Sequence, residues 1–154
     1  MSPTLPYAWQ APEHTLRLPA HPHQKRCNVL GFWRRDNTLH WHRFTGRMTG
    51  ARLIQAVESE VLPHLRRATI LVLDNAAVHR SKLVRAKAKE WKKQGLRLVF
   101  LPPYSPHLNP IECLWRQMKY HWLEPSAYLN FAALCQAVDS ILHQVGSKYL
   151  LSFS

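Results

Sequence analysis

The stretch from Ala68 to Leu101 limits the possible folds more than any other part of the chain. Two apolar, β-prone runs, Thr69-Ile-Leu-Val-Leu73 and Leu96-Arg-Leu-Val-Phe-Leu101, flank a helical pattern between Ser81 and Gln94. Strand, helix, strand in that order is a crossover unit, whose strands lie side by side and parallel with a right-handed connection. The first run is apolar at every position, which predicts a central strand buried on both faces. Ser81 is a good N-cap for the helix and Gly95 a plausible stop. Val84, Ala88 and Trp91 share one helix face, while Lys82, Arg85, Lys89 and Lys92 recur on another.

The flanking segments extend this unit. Residues 1–25 are predicted to be irregular, because Pro3, Pro6, Pro12, Pro19 and Pro22 forbid a helix and break a long strand. Within them, His14-Thr-Leu-Arg-Leu18 alternates and suits a short edge strand. Cys27–Trp33 and Leu39–Phe44 read as two strands joined by the turn residues Arg34–Thr38, a hairpin. Thr49 caps a helix predicted to run to about Leu65, with Ile54, Val57, Val61 and Leu65 on one face and Pro63 ending or kinking it. Pro102–Pro110 is a stiffened loop. Asn109 is the predicted cap of the next helix, with Pro110 at its first position and Ile111, Leu114, Trp115, Met118 and Trp122 along one side. Pro125 interrupts that pattern. A last amphipathic helix starts near Asn130, carries Phe131, Leu134, Val138, Ile141 and Val145, and ends at Gly146. At 154 residues this is one α/β domain, with helices packed on a mixed sheet.

Charge narrows the partner. Lys plus Arg is 21 against 9 for Asp plus Glu, a net charge of +12, and such an excess suits an acidic polymer, most often nucleic acid. From Glu124 to Ser154 the charged residues are only Glu124, Asp139 and Lys148, so the basic character belongs to the first four-fifths. No apolar run approaches the roughly 18 residues of a membrane span, and the start lacks a basic-then-apolar leader, so a cytoplasmic location without membrane contact is expected. Cys27, Cys113 and Cys135 are odd in number and scattered, which predicts buried free thiols and not a disulfide framework. His21, His23 and Cys27 resemble a metal cluster, but the prolines and irregular spacing argue against zinc. The six tryptophans, Trp9, Trp33, Trp41, Trp91, Trp115 and Trp122, are read mostly as core, with one or two able to stack on unpaired bases.

Two carboxylates carry the chemistry. Asp74 ends the first apolar run, and ligands in such sheets sit at the carboxyl ends of strands. Taken alone, Asp74 also suits a dull role, capping the next turn with Asn75 assisting. Glu112 has a dull role too: Asn109-Pro-Ile-Glu112 is a capping box. Together they say more. Their separation leaves room for one helix and one strand, and a crossover returns the second beside the first, so that both face one cleft beside the helix carrying Lys82–Lys93. Paired carboxylates on rigid elements can hold Mg²⁺ against a phosphodiester. His79 can orient a phosphate or water, or bond the loop backbone.

The segments Leu71-Val-Leu-Asp-Asn-Ala-Ala-Val-His79 and Phe100-Leu-Pro-Pro-Tyr-Ser-Pro-His-Leu-Asn-Pro-Ile-Glu-Cys-Leu-Trp-Arg-Gln-Met-Lys119 resemble the catalytic domain of insertion-sequence transposases of the mariner superfamily. Pro6-Tyr-Ala-Trp9 and Asn28-Val-Leu-Gly31 match the same domain, so the likeness covers nearly the whole chain. The resemblance implies a ribonuclease-H-like fold and an Asp, Asp, Glu catalytic triad, with Asp74 as second acid and Glu112 as third. It implies two Mg²⁺ ions for in-line attack on DNA phosphodiesters. Asn75, His79 and Asn109 would support that site. Lys82, Arg85, Lys89, Lys92, Lys93, Arg116 and Lys119 would bind the DNA backbone without reading sequence.

One departure follows from the same likeness. The first Asp of the triad lies on a strand upstream of the Pro-Tyr-Ala-Trp segment, where this sequence has only Met1 and Ser2 to Pro6. Neither Glu13 nor Asp36 matches its motif. The expectation is therefore a partial catalytic domain over 1–154, divided as entry segment 1–25, sheet and helices 26–125 and carboxy-terminal helix 126–154, with its first strand missing. Such a chain is expected to cleave DNA poorly by itself. It would alternatively act as a non-catalytic module binding DNA or intact transposase, or be completed by a separately encoded amino-terminal fragment.

Overall fold

Alternation and turn chemistry produce the first element pair. In the computed structural model, which describes residues 26–151, β1 (Asn28–Trp33) and β2 (Leu39–Phe44) form an antiparallel hairpin in register from Asn28 opposite Phe44 to Trp33 opposite Leu39. The turn closes through Arg34 N–H donating to the Thr38 carbonyl at 2.9 Å, with Asn37 in the left-handed region at φ 62°. Asn tolerates that region because its short polar side chain bonds locally. Asp36 accepts the Thr38 N–H at 3.0 Å, and this bond holds its carboxyl below the usual carboxylate range.

The crossover unit forms as its sequence requires. β3 (Thr69–Leu73) and β4 (Leu96–Phe100) are parallel, with Thr69 opposite Leu96 and Leu73 opposite Phe100. They are joined through α2 (Lys82–Lys93), capped by Ser81, whose hydroxyl accepts the Val84 N–H. Gly95 ends the helix turn at φ 91°. α1 (Gly50–Glu60) starts at Thr49, whose hydroxyl accepts the Arg52 N–H, and stops short of Leu65. Pro63 lacks the donor needed to continue, so the chain tightens into a 3₁₀ turn at Leu62–His64.

α3 (Ile111–Gln117) departs from its predicted start. No side chain caps it: Asn109 contributes only its carbonyl, which accepts the Glu112 N–H at 3.1 Å. The helix passes into a π turn at Met118–Trp122, then a 3₁₀ turn at Pro125–Tyr128. α4 (Phe131–His143) is capped by Asn130, whose side-chain oxygen accepts the Ala133 N–H at 2.8 Å. Val145 lies beyond its end, before the turn at Gly146.

Two apolar clusters hold the described residues together. One packs Leu53 and Val57 of α1, Val84 and Trp91 of α2, and Leu73 and Leu96 of the parallel pair. The other packs Met118 and Leu123 against Leu134, Val138 and Leu142 of α4, with Cys27 beside them. Between the clusters α3 lies against β1 at Gly31, where an added Cβ would come within 2.7 Å of the Trp115 ring.

Three expectations need correction. The single mixed sheet is two two-stranded sheets among the described residues. β3 is not buried on both faces: Ile70 is 61% exposed and Val72 47%, because these alternate residues share a face that is left open among the described residues. Cys113 is exposed, since it lies on the outer side of the first turn of α3, while Cys27 and Cys135 are buried free thiols as predicted. Of the described tryptophans only Trp91 is fully buried; Trp33, Trp41, Trp115 and Trp122 are half-buried. Trp9, Glu13, His14–Leu18, His21 and His23 lie outside the described residues.

Candidate active site

Asp74 follows the last residue of β3, so its position is fixed by the parallel ladder beside it. Its Oδ1 accepts the Ala76 N–H at 3.0 Å, the local turn bond its residue type favours. The same oxygen lies 2.7 Å from His79 Nδ1. Two bare lone pairs would repel at that separation, so Nδ1 carries the proton. The N–H direction misses the ideal line to the oxygen, which leaves His79 Nδ1 without a well-formed hydrogen bond. The contact is a short polar approach. His79 is the buried polar residue of the described chain, whereas the Asp74 side chain is 49% exposed. Asp74 Oδ2 has no hydrogen-bond partner among the described residues. Asn75 turns away to accept a bond from Arg80 Nη1 at 2.9 Å.

Glu112 sits in the first turn of α3, exposed, where a carboxylate is favoured by the helix dipole. The capping box predicted for it does not form, and its side chain makes no hydrogen bond or ion pair among the described residues. Its carboxylate is therefore not committed to the fold.

Asp74, His79, Asn109 and Glu112 line one groove of about 1290 Å³. β1 and β3 supply its two walls, and Ile111 and Trp115 of α3 also line it. Arg35 of the hairpin turn lines it too. That cation was not singled out in the sequence; the Arg34-Arg35 pair beside a tight turn was the available signal. A second cavity of about 910 Å³, lined by Arg26, Arg47, Phe44 and Met118 among others, has no carboxylate on its walls.

The basic residues lie elsewhere. Lys82, Arg85, Lys89, Lys92 and Lys93 are exposed on α2, which packs against β4 and α1, and none lines the groove. None of the five is in an ion pair among the described residues, while Lys87 is held by Glu58 at 3.0 Å and Glu90 at 2.9 Å. Arg116 is exposed beside Cys113, and Lys119 lies over the Tyr120 ring at 5.1 Å. Asn75 does not line the groove either. The predicted cleft beside the basic helix is thus two surfaces: an acidic-ended groove and a separate row of cations.

Asp74 Oδ2 and the Glu112 carboxylate, both without partners among the described residues, are hard oxygen donors of the kind that suit Mg²⁺. No three His, Cys, Asp or Glu side chains come close enough to hold a metal among the described residues, so at most two protein ligands are available there.

Comparisons with known proteins follow this geometry. The family profile described as DDE superfamily endonuclease matches residues 1–135. The "Uncharacterized protein y4pE/y4sA" of Sinorhizobium fredii (strain NBRC 101917 / NGR234) is 33% identical over 79 residues, 49% of this chain and 54% of its own length. Among solved structures, the "Mos1 transposase paired-end complex with left transposon end" aligns with TM-score 0.64 at 18% identity, covering 89% of this chain and 42% of the other. The "Mos1 Strand Transfer Complex" aligns with TM-score 0.54 at 14% identity, covering 92% and 47%. The chain therefore spans about half the length of the relatives it matches, and it shares its ribonuclease-H-like fold with the two solved transposase structures.

Proposed function

The chain belongs to the DDE superfamily of endonucleases, and from that premise we propose that it is a segment of a mariner-type DNA transposase catalytic domain. Enzymes of this superfamily generally work with divalent metals. In this reading Asp74 and Glu112 hold Mg²⁺ at the end of the groove, and the substrate is DNA. The observation that carries it is the shared groove: two carboxylates 38 positions apart in sequence line the same surface, and neither Oδ2 of Asp74 nor the Glu112 carboxylate has a partner among the described residues.

The bound metal would polarise a phosphodiester and activate the attacking oxygen. The protein's own residues have distinct tasks. His79 lies against one oxygen of Asp74, and the other has no partner among the described residues. The Asn109 carbonyl accepts the Glu112 N–H in the first turn of α3, which sets the position of Glu112. Arg35 offers a positive charge to a phosphate in the groove. The unpaired cations of α2 hold the DNA backbone at a distance from the reacting bond. Two ligands position a metal loosely, so the chain in isolation is expected to nick DNA poorly.

A second reading, a non-catalytic module that binds DNA or intact transposase, is favoured by the lack of any three-ligand cluster among the described residues.

The test is Mn²⁺ binding by calorimetry, with duplex binding and nicking measured in parallel. Asp74→Asn keeps an acceptor for the Ala76 N–H and so preserves the turn. Asp74→Asn and Glu112→Gln should each weaken Mn²⁺ binding by about 10-fold or more while thermal stability holds. Unchanged Mn²⁺ affinity in both variants overturns the metal role. Duplex affinity should fall steeply with salt, and neutralising the five α2 cations should flatten that slope. Efficient metal-dependent nicking by the isolated chain would contradict the low activity assigned to it.

A further inference from the structure

Tyr104 is unlike every other aromatic residue among those described. It is 100% exposed, whereas the next most exposed, Tyr120, is at 40%. Its side chain makes no hydrogen bond and no ring contact among the described residues. A ring with both faces in water gives the fold nothing through burial.

The backbone beneath it is strained as well. Tyr104 has φ 56°, in the left-handed region. Glycine or asparagine takes that conformation readily, but a bulky aromatic there is an outlier that costs free energy. The neighbours impose it. Pro103 has its own φ locked, and its carbonyl accepts the Ser105 hydroxyl at 3.2 Å. Ser105 is held in turn by the Leu108 N–H, which donates to its carbonyl at 3.1 Å. A strained residue that its surroundings over-determine, and that returns nothing to the fold, points to a task outside the fold.

Position narrows the task. Tyr104 belongs to the loop 102–110, strung between the two candidate metal ligands. At one end Leu101 N–H donates to the Leu73 carbonyl at 2.8 Å, one residue before Asp74. At the other end the Asn109 carbonyl accepts the Glu112 N–H at 3.1 Å. Leu101, Leu108 and Asn109 line the groove, and Tyr104 does not. The ring is therefore carried outside the groove, on a stiff arm fixed beside it at both ends.

We propose that Tyr104 is a stacking platform for one unpaired nucleobase of the DNA strand at the groove. The inference rests on the reading of DNA as substrate. Every base has a π face, so an aromatic ring stacks on it without regard to sequence. Bases inside a duplex have both faces covered by their neighbours, which leaves an unpaired base as the fit for a solitary ring. Tyr104 is a positioning residue in this account: by holding a base it fixes where the adjoining phosphate lies relative to Asp74 and Glu112.

The experiment uses the full chain, a short blunt duplex, and the same duplex extended by an unpaired tail carrying 2-aminopurine, all in EDTA so that no metal takes part. Affinity is read by anisotropy and stacking by quenching of the 2-aminopurine. The parent chain should prefer the tailed duplex by about 5-fold or more, the size of one base stacked on one ring, and should quench its fluorescence. Tyr104→Ala should lose both effects, while Tyr104→Phe and Tyr104→Trp keep them. Tyr104→Gly should lose both yet melt no lower than the parent, because glycine occupies the left-handed region without strain, and this separates lost stacking from lost fold. Preference and quenching that persist in Tyr104→Ala overturn the assignment to Tyr104. A Tyr104→Phe chain that melts normally and loses the preference overturns stacking in favour of the phenol oxygen. Binding of both duplexes by the parent with equal affinity and no quenching overturns this inference alone, whereas binding of neither overturns the DNA reading and this inference together.

Discussion

His79 Nδ1 lies 2.7 Å from Asp74 Oδ1, a buried ring holding one oxygen of a half-exposed carboxylate. The arrangement divides the two oxygens of Asp74: one is bound by His79 and the Ala76 N–H, the other has no partner among the described residues.

That division gives the first prediction. His79→Asn retains an N–H donor near the place of Nδ1, whereas His79→Leu removes it. The Leu variant should weaken Mn²⁺ binding by about 10-fold or more, the usual effect of losing a residue that orients a metal ligand, and the Asn variant should recover most of it. If both variants bind Mn²⁺ like the parent chain, His79 only fills the turn. Thermal melts of both variants separate lost fold from lost orientation.

Gly31 tests the contact between α3 and β1. A Cβ there would meet Trp115 at 2.7 Å and Ile111 Cδ1 at 2.9 Å. Gly31→Ala should destabilise by about 1–3 kcal/mol in urea unfolding, as overpacking does. Adding Trp115→Leu should recover part of that loss, because the two changes touch. Equal losses in the presence and absence of Trp115 would show that the helix does not press on the strand.

The cysteines should separate by reactivity. Burial and the adjacent Cys135 push the Cys27 thiol up to about 11, so it is almost wholly protonated near neutral pH. Cys113 is exposed. Iodoacetamide at mildly alkaline pH should label Cys113 first, and Cys27 and Cys135 only after denaturation. Peptide mass spectrometry decides, and early labelling of Cys27 would contradict its packing beside Cys135 of α4.

Acid should loosen the hairpin. His40 stacks on His64 with ring centroids 4.2 Å apart, and burial, with the nearby His64, lowers its pKa from the usual 6.5. A histidine depressed in the fold binds its proton more readily when unfolded. Its stabilising contribution is present above about pH 6.5 and is lost as pH falls from there through the folded value. The Tm should therefore drop on acidification across that window, and His40→Gln should shrink the drop. A Tm that holds or rises as pH falls would reverse the sign.

Much of the architecture was legible in local patterns. The caps at Thr49, Ser81 and Asn130, the stop at Gly95 and the break at Pro63 are one-residue signals, since they follow from a side-chain acceptor, a missing Cβ or a missing N–H. Asn109 shows the limit. Its sequence fits a capping box, yet its side chain makes no cap bond, so a residue pattern suited to capping was not sufficient evidence that capping occurs. Cys113 shows another: a thiol's burial depends on which helix face meets a neighbour, and its spacing alone does not say.

The sequence by itself determined the order of strands and helices, the parallel crossover and the basic composition, because each rests on periodicity or side-chain type over a few neighbouring residues. Only the tertiary structure decided that the α2 cations lie outside the groove that Asp74 and Glu112 line. It also decided that, among the described residues, the four strands form two separate pairs, β1 with β2 and β3 with β4. Those outcomes depend on where the chain returns in space, and backbone pairing between distant segments is set by packing, which no local pattern records.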